Sequence, residues 1–288
     1  MQADLNTQSS TGRRWTYAAL VVAISLALLG SCLGPPILRD WQAKQRRERA
    51  YAMWQERCKK SGEFIRKTVE NVEGIYLVNV RTELNNNQGE QPEDQFRLSD
   101  PYGHDLWGDG YMISFLRSSF TWHRTEPLPR GWPPYLGYRY VEAVDYKDGK
   151  LARYTGRIEE PWQRDKNYLK GHLEYVMDRQ PINTRSTRYG VKFEDISTQE
   201  EREHWIAGSS LKVIDLETQE VLAERIGYMI DWAQGSRAGA RQPWTFAADN
   251  ACPDFDHDFP RSTDTSHKFR SQPRQTQRFV EKVLKPLK

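Results

Sequence analysis

Residues Ala18 to Leu29 (AALVVAISLALL) are the one strongly apolar run in the chain, and no charged side chain occurs from Trp15 to Leu33. About 19 uncharged residues at ~1.5 Å rise approach the ~30 Å hydrocarbon core of a bilayer. A buried core helix can be equally apolar, but this run follows Arg13-Arg14, is closed by Pro35-Pro36 and precedes a polar remainder. The arrangement predicts a polar tail over 1–14 and a membrane segment over 15–34.

Such a segment has three fates: an uncleaved anchor, a lipoprotein signal, or a cleaved and released signal peptide. Leu29-Gly30-Ser31-Cys32 has the form of a bacterial lipobox, which makes Cys32 a candidate for lipidation; otherwise it is a small apolar residue near a helix end. Orientation signals conflict. Arg39, Lys44, Arg46, Arg47 and Arg49 follow the segment, and the positive-inside rule would hold the large domain in the cytoplasm. A signal-like N-terminus and a pairable cysteine couple point to export instead. No Asn-x-Ser/Thr acceptor occurs, which suits a bacterial envelope better than a eukaryotic secretory route. The expectation is a single-pass protein of the bacterial inner membrane with a periplasmic domain; a lipoprotein is the alternative.

The 288 residues leave roughly 250 beyond the anchor, enough for one sizeable domain. With 38% hydrophobic and 12% aromatic residues the chain can build a core, while 28% charged residues and 15 prolines imply long surface loops. Forty-two basic side chains against 39 acidic ones give +3, too balanced for a nucleic-acid footprint. Cys58 and Cys252 are the cysteines outside the membrane segment, so one pairing is open to them, with free buried thiols as the alternative. Closing so long a loop is worth about 5 kcal/mol in the chain-entropy model.

Beyond Pro36, apolar or small residues at 51, 54, 58, 62, 65, 69 and 72 recur in helical steps and predict a stalk or amphipathic helix over 37–70, with a basic first half that could lie beside acidic head groups. The soluble domain over 71–288 then changes period. Gly74 to Arg81 alternates as a strand, and Tyr111 to Leu116 is an apolar run of undecided type. Tyr138 to Tyr146 and Leu151 to Ile158 flank Asp148-Gly149 as a hairpin. Ser197-Thr198-Gln199-Glu200 reads as a capping box opening a short helix. Ser209 to Leu216 and Val221 to Trp232 form a second hairpin, with Leu211, Val213, Leu222, Ile226 and Ile230 able to share a face. Gln275 to Leu284 is an amphipathic helix offering Phe279, Val280, Val283 and Leu284. Hairpins with helices at both ends predict an α+β fold with an antiparallel sheet.

No motif for catalysis or a cofactor emerges. Asp254, Asp256, His257 and Asp258 are weak metal candidates, since their spacing fits no loop with a defined turn. His104, Asp105 and Asp109 miss the alternating pattern of a calcium loop, and Gly108-Asp109-Gly110 reads as a turn. Ser209 and Ser210 lie near His204, Asp195 and Asp215 without a nucleophile-elbow signature. Glu159-Glu160 are strand neighbours pointing to opposite faces. Gln234 to Arg241 (QGSRAGAR) lacks the Lys-Ser/Thr ending of a phosphate loop. Trp132, Tyr135, Trp162 and Trp244 stand beside prolines as candidate platforms for a sugar or peptide, or as residues that pack loops onto the core.

The segments RYGVKFEDIS, HWIAGSSLKVIDLETQEVLAERIGYM, FAADNACP and FVEKVLKP resemble a group of bacterial proteins that carry one N-terminal membrane segment and have no assigned activity. The resemblance implies envelope anchoring and transfers no catalytic residue. The leading expectation is a membrane-anchored extracytoplasmic binding or structural domain with an envelope protein or glycan partner, no nucleic acid and no cofactor. The alternatives are an envelope hydrolase whose site is assembled from distant residues, and a cytoplasm-facing tethered domain.

Overall fold

The computed structural model describes residues 37–82, 95–98, 100–102, 106–121, 137–159, 162, 174–255 and 275–287. The tail predicted over 1–14, the membrane segment predicted over 15–34 and Cys32 lie outside them. No helix among the described residues is long and apolar enough to cross a membrane. The chain divides into two units, Met1–Arg49 and Ala50–Lys288.

Helix α1 covers 37–58 and does not continue to residue 70 as the stripe predicted. Local chemistry stops it: the Lys60 N–H bonds to the Arg57 carbonyl at 2.9 Å, and Ser61 gives both its N–H (3.1 Å) and its hydroxyl (2.8 Å) to the Cys58 carbonyl. Gly62 then adopts φ 153°, which a side chain would resist. From there the chain extends into β1 (Gly62–Ile65) and β2 (Val69–Val72). Strand partners decide this against periodicity, since β1 pairs antiparallel with β9 (Glu220–Ile230), and β2 pairs parallel with β11 (Leu284–Pro286).

Among the described residues the main sheet has nine strands: in spatial order β1, β9, β8 (Ile206–Asp215), β7 (Tyr189–Asp195), β3 (Gly74–Leu77), β4 (Tyr140–Val144), β5 (Leu151–Glu159) and β6 (Glu174–Pro181), with β10 (Ala251–Cys252) also on β9. The fold is α+β, as the pattern predicted, but the sheet is mixed. β3 (Gly74–Leu77) lies parallel to both β4 (Tyr140–Val144) and β7 (Tyr189–Asp195). A parallel neighbour requires a crossover, and the segment between β3 and β4 contains α2 (Gly108–Thr121), which is the helix formed by the undecided apolar run. The two predicted hairpins are present: β4 with β5 (Leu151–Glu159), and β8 (Ile206–Asp215) with β9. In the first, Gly149 has φ 71° and its N–H reaches the Asp145 carbonyl at 2.8 Å. β6 (Glu174–Pro181) pairs with β5.

The main core lies on one sheet face. Ile75, Leu77, Val141, Ala143, Tyr154, Val191, Leu211 and Val213 meet Tyr111, Met112, Phe115 and Leu116 of α2, and Phe279, Val280 and Val283 of α5 (Gln275–Val283). Each large apolar side chain buried so completely contributes about 1.5–3 kcal/mol. The expected single face of the β8–β9 hairpin divides. The register pairs Leu211 with Arg225 and Val213 with Ala223, so Ile226 and Ile230 fall on the opposite face, where they join Ile206, Tyr228 and Ala50. Leu222 is the extra residue where the register shifts between Val213 and Ile214, and its side chain enters the main core.

A third cluster closes one end of the sheet. Trp205, in the left-handed region at φ 54°, lies 5.0 Å from the Trp244 ring, together with Ala207, Met229, Ala247 and Phe255. Such a conformation is costly for a bulky residue, and burial of the indole holds it.

The edge of β9 is shared end to end. Residues 223–226 pair with β1, and Tyr228 and Met229 pair with β10. Cys58, just before β1, and Cys252 of β10 meet there and are bonded, with Cα atoms 5.4 Å apart across 194 residues of sequence. Reduction, or Cys58→Ser with Cys252→Ser, is expected to remove roughly 2–5 kcal/mol of stability. Urea unfolding of the oxidised and reduced protein checks this; coincident midpoints would show that the bridge is not a constraint.

Candidate functional site

Among the described residues, the predicted site residues other than the Cys58–Cys252 pair are not gathered in one place. Asp256, His257, Asp258, Trp132, Tyr135, His104, Asp105, Glu160 and Cys32 lie outside the described residues. Of the acidic run only Asp254 is described, and no group of three or more His, Cys, Asp or Glu poised for a metal occurs among the described residues. Trp162 is 90% exposed. Trp244 is 1% exposed, a correction to its expected place on a binding surface: Pro243 opens α4 (Pro243–Ala247) and turns the indole inward against Trp205. The proline-aromatic pair packs a loop onto the core here.

The polar triad candidates are engaged separately. His204 Nδ1 is 2.9 Å from the Glu200 carbonyl oxygen, at the end of α3 (Gln199–Glu203). Ser210 donates to Glu224 at 2.6 Å, while Ser209, one residue earlier on the strand, faces the other side. Asp195 accepts from Arg202 at 2.6 Å and from the Ser197 N–H at 2.9 Å. Asp215 accepts from Nε and Nη2 of Arg188, at 2.9 and 2.7 Å, and from the Glu217 N–H of the β8–β9 turn. Glu159 pairs with Arg157. The capping box is present one residue later than predicted, with Thr198 as N-cap and Glu201 completing it; Glu201 also meets Arg57, tying α3 to α1. Gly108-Asp109-Gly110 opens α2 instead of forming a turn, and Asp109 meets Lys147 at 2.8 Å.

The polar centres the structure does assemble are buried carboxylates that hold loops. Glu142 of β4 is fully buried. It accepts from Arg153 Nε and Nη2 (3.1 and 2.8 Å), from the Ser186 N–H and hydroxyl (both 2.9 Å), and from the Thr187 N–H and hydroxyl (3.1 and 2.9 Å). Burial alone would raise its pKa, but these donors outweigh burial and hold it below the usual carboxylate range. Asp231, also fully buried, accepts the Ala233 N–H at 3.1 Å, the Gly235 N–H at 2.8 Å and the Arg241 guanidinium. This is what QGSRAGAR does: a connector folded around a carboxylate. Arg81 and Asp100 form a buried ion pair at 3.2 Å, with the guanidinium over the rings of Phe193 (4.1 Å) and Tyr111 (5.0 Å). In sequence, Glu142 and Asp231 are single acids among strand or turn residues, and nothing local marks them as buried.

On the sheet face opposite the main core, Lys192 and Lys212 meet Glu194 at 2.5 and 2.6 Å, and their hydrogen bonds hold its carboxyl at about 2. On α5, burial pushes the Glu281 carboxyl up to about 7, against a hydrogen bond from Gln277 at 2.7 Å. Tyr51, Trp54 and Trp232 form an aromatic trio beside the disulfide, with ring centroids 4.8–5.9 Å apart and Tyr51 the most exposed. The β-strand periodicity of Val221 to Trp232 gave no sign that its last residue would meet α1.

No family model, curated protein or solved structure matches the chain. Removing the clamp with Glu142→Ala is expected to cost about 3 kcal/mol. Because its folded pKa is depressed, its contribution is present above the unfolded carboxylate range and lost as pH falls through the folded value. A loss of unfolding free energy, from urea titration at pH 7, below about a tenth of that figure would overturn the clamp. Glu281 acts with the opposite sign. Its raised pKa favours the neutral form in the folded state, so its contribution is full below about 4.5 and declines as pH rises through about 7. Glu281→Gln is therefore expected to flatten the stability profile between pH 5 and 8, measured by thermal unfolding; an unchanged slope would contradict this.

Proposed function

We propose that this chain is a membrane-tethered extracytoplasmic domain that acts by binding or by structural support in the bacterial envelope, on a protein or glycan partner. The Cys58–Cys252 bond carries the reading. Disulfides that tie the start of a domain to its end persist in oxidising compartments and are rare in the reducing cytoplasm. Together with the uncharged run over 15–33, this favours export over the orientation that the flanking arginines alone would suggest.

Binding or support is favoured over turnover by how the polar groups are used. Asp195, Asp215, Glu142 and Asp231 each hold a loop or a turn through several donors, and His204 caps a helix. A general acid or base needs a group whose proton is free to move to a substrate, and groups committed to structural hydrogen bonds are poorly placed for that. Trp162 remains available to a partner.

The test is protease accessibility of the full chain in intact spheroplasts, with a cytoplasmic protein as lysis control. Removal of the domain by external protease is the expected result. Protection until detergent is added would overturn the extracytoplasmic placement.

A further inference from the structure

The geometry points to residues 37–49 of α1 as a contact for an anionic phospholipid surface. This rests on the tether proposed above and names what the tether's exit segment touches. Every side chain over 37–49 is exposed, including Ile37 at 66%, Leu38 at 54% and Trp41 at 58%. At about 100° per residue, Ile37, Leu38 and Trp41 share one arc of roughly 100°, with Lys44 and Arg49 at its two borders and Ala43 on the opposite side. Large apolar side chains flanked by long cationic ones are the chemistry of a helix resting at a bilayer interface. The apolar groups enter the acyl boundary, the aliphatic stems of Lys and Arg follow them, and the charges stay among the phosphates. An indole at the head-group level completes the pattern.

What covers this arc is indicated by the chain itself. The membrane segment predicted over 15–34 ends at Gly34, and Pro35-Pro36 separate it from Ile37. A segment that leaves a membrane at 34 places the first turn of α1 at the interface, within reach of head groups. Arg39, Lys44, Arg46, Arg47 and Arg49 against Asp40 and Glu48 give the stretch a net +3, by five minus two. Charges on the far side of a helix about 10 Å wide are still about one Debye length from the phosphates, so the whole set is attracted by an anionic leaflet. The arc is short. Gln45 and Glu48 continue the same face with polar groups, and Glu48 lies 3.8 Å from Lys44, so the apolar contact belongs to residues 37–41.

The experiment uses the full chain with Cys32→Ser, reconstituted into vesicles of phosphatidylcholine alone or with phosphatidylglycerol. Single nitroxide labels are placed through Leu38→Cys, Trp41→Cys or Ala43→Cys. Collisions with oxygen and with a water-soluble nickel complex are compared by electron paramagnetic resonance. In phosphatidylglycerol vesicles the labels at 38 and 41 should collide more with oxygen, and the label at 43 more with nickel. In phosphatidylcholine alone the contrast should fall at least severalfold. Labels that are all water-exposed in both lipids, on protein retained through an alkaline wash, would overturn the contact and leave the tether standing. An equal contrast in both lipids would overturn the anionic preference. Loss of the protein from the vesicles on the alkaline wash would overturn the tether, and the contact with it.

Discussion

Strand β9 is the element on which the rest of the domain depends. One side pairs with β8 along almost its full length; the other is divided between β1 and β10. Those two short strands, four and two residues long, could not persist alone, because so few ladder bonds do not offset the entropy of ordering them. They are held because the Cys58–Cys252 bond joins the segments that carry them at the point where they share the edge. The same arrangement caps an edge that would otherwise present unpaired backbone groups.

The two faces of this strand organise the packing. Ala223 contributes to the core beneath α2 and α5, and Met229 to the tryptophan cluster at the end of the sheet. Ile226, Tyr228 and Ile230 face the other way and receive Ala50, Met53 and Trp54 of α1. Arg225 lies between aromatic neighbours, over Tyr102 and Phe255, and Gly227 leaves room for the Tyr102 ring, which a Cβ there would strike. Buried carboxylates complete the scheme. Glu142 and Asp231 each gather a connecting segment onto a strand, which fixes the loops without a large apolar surface beneath them.

The candidate site was legible in part. Two cysteines outside the apolar run permit one bridge or two free thiols, and the fold decides for the bridge by bringing Cys58 and Cys252 together beside β9. Trp162 and Trp244 were indistinguishable as proline-aromatic pairs, yet one is exposed and the other enclosed, since enclosure depends on which strands lie beneath the loop. Glu142 had no sequence signature. An acid in an alternating strand is ordinarily a solvent position, and only the return of residues 186 and 187 across the sheet encloses it.

Local chemistry by itself determined the elements whose signals are short in range: the Asp148-Gly149 hairpin, the β8–β9 hairpin, the start of α3 to within one residue, and the amphipathic face of α5. It also determined the α+β class, since the periods of two and of 3.6 alternate along the chain. Tertiary structure decided that 62–65 and 69–72 are strands, that β3 runs parallel to its neighbours, and that Ile226 and Ile230 part from Leu211 and Val213. In each case the deciding term is a backbone or side-chain partner far away in sequence or across a register. Periodicity within a segment reports which side chains can share a face, and carries no record of which strand will lie alongside.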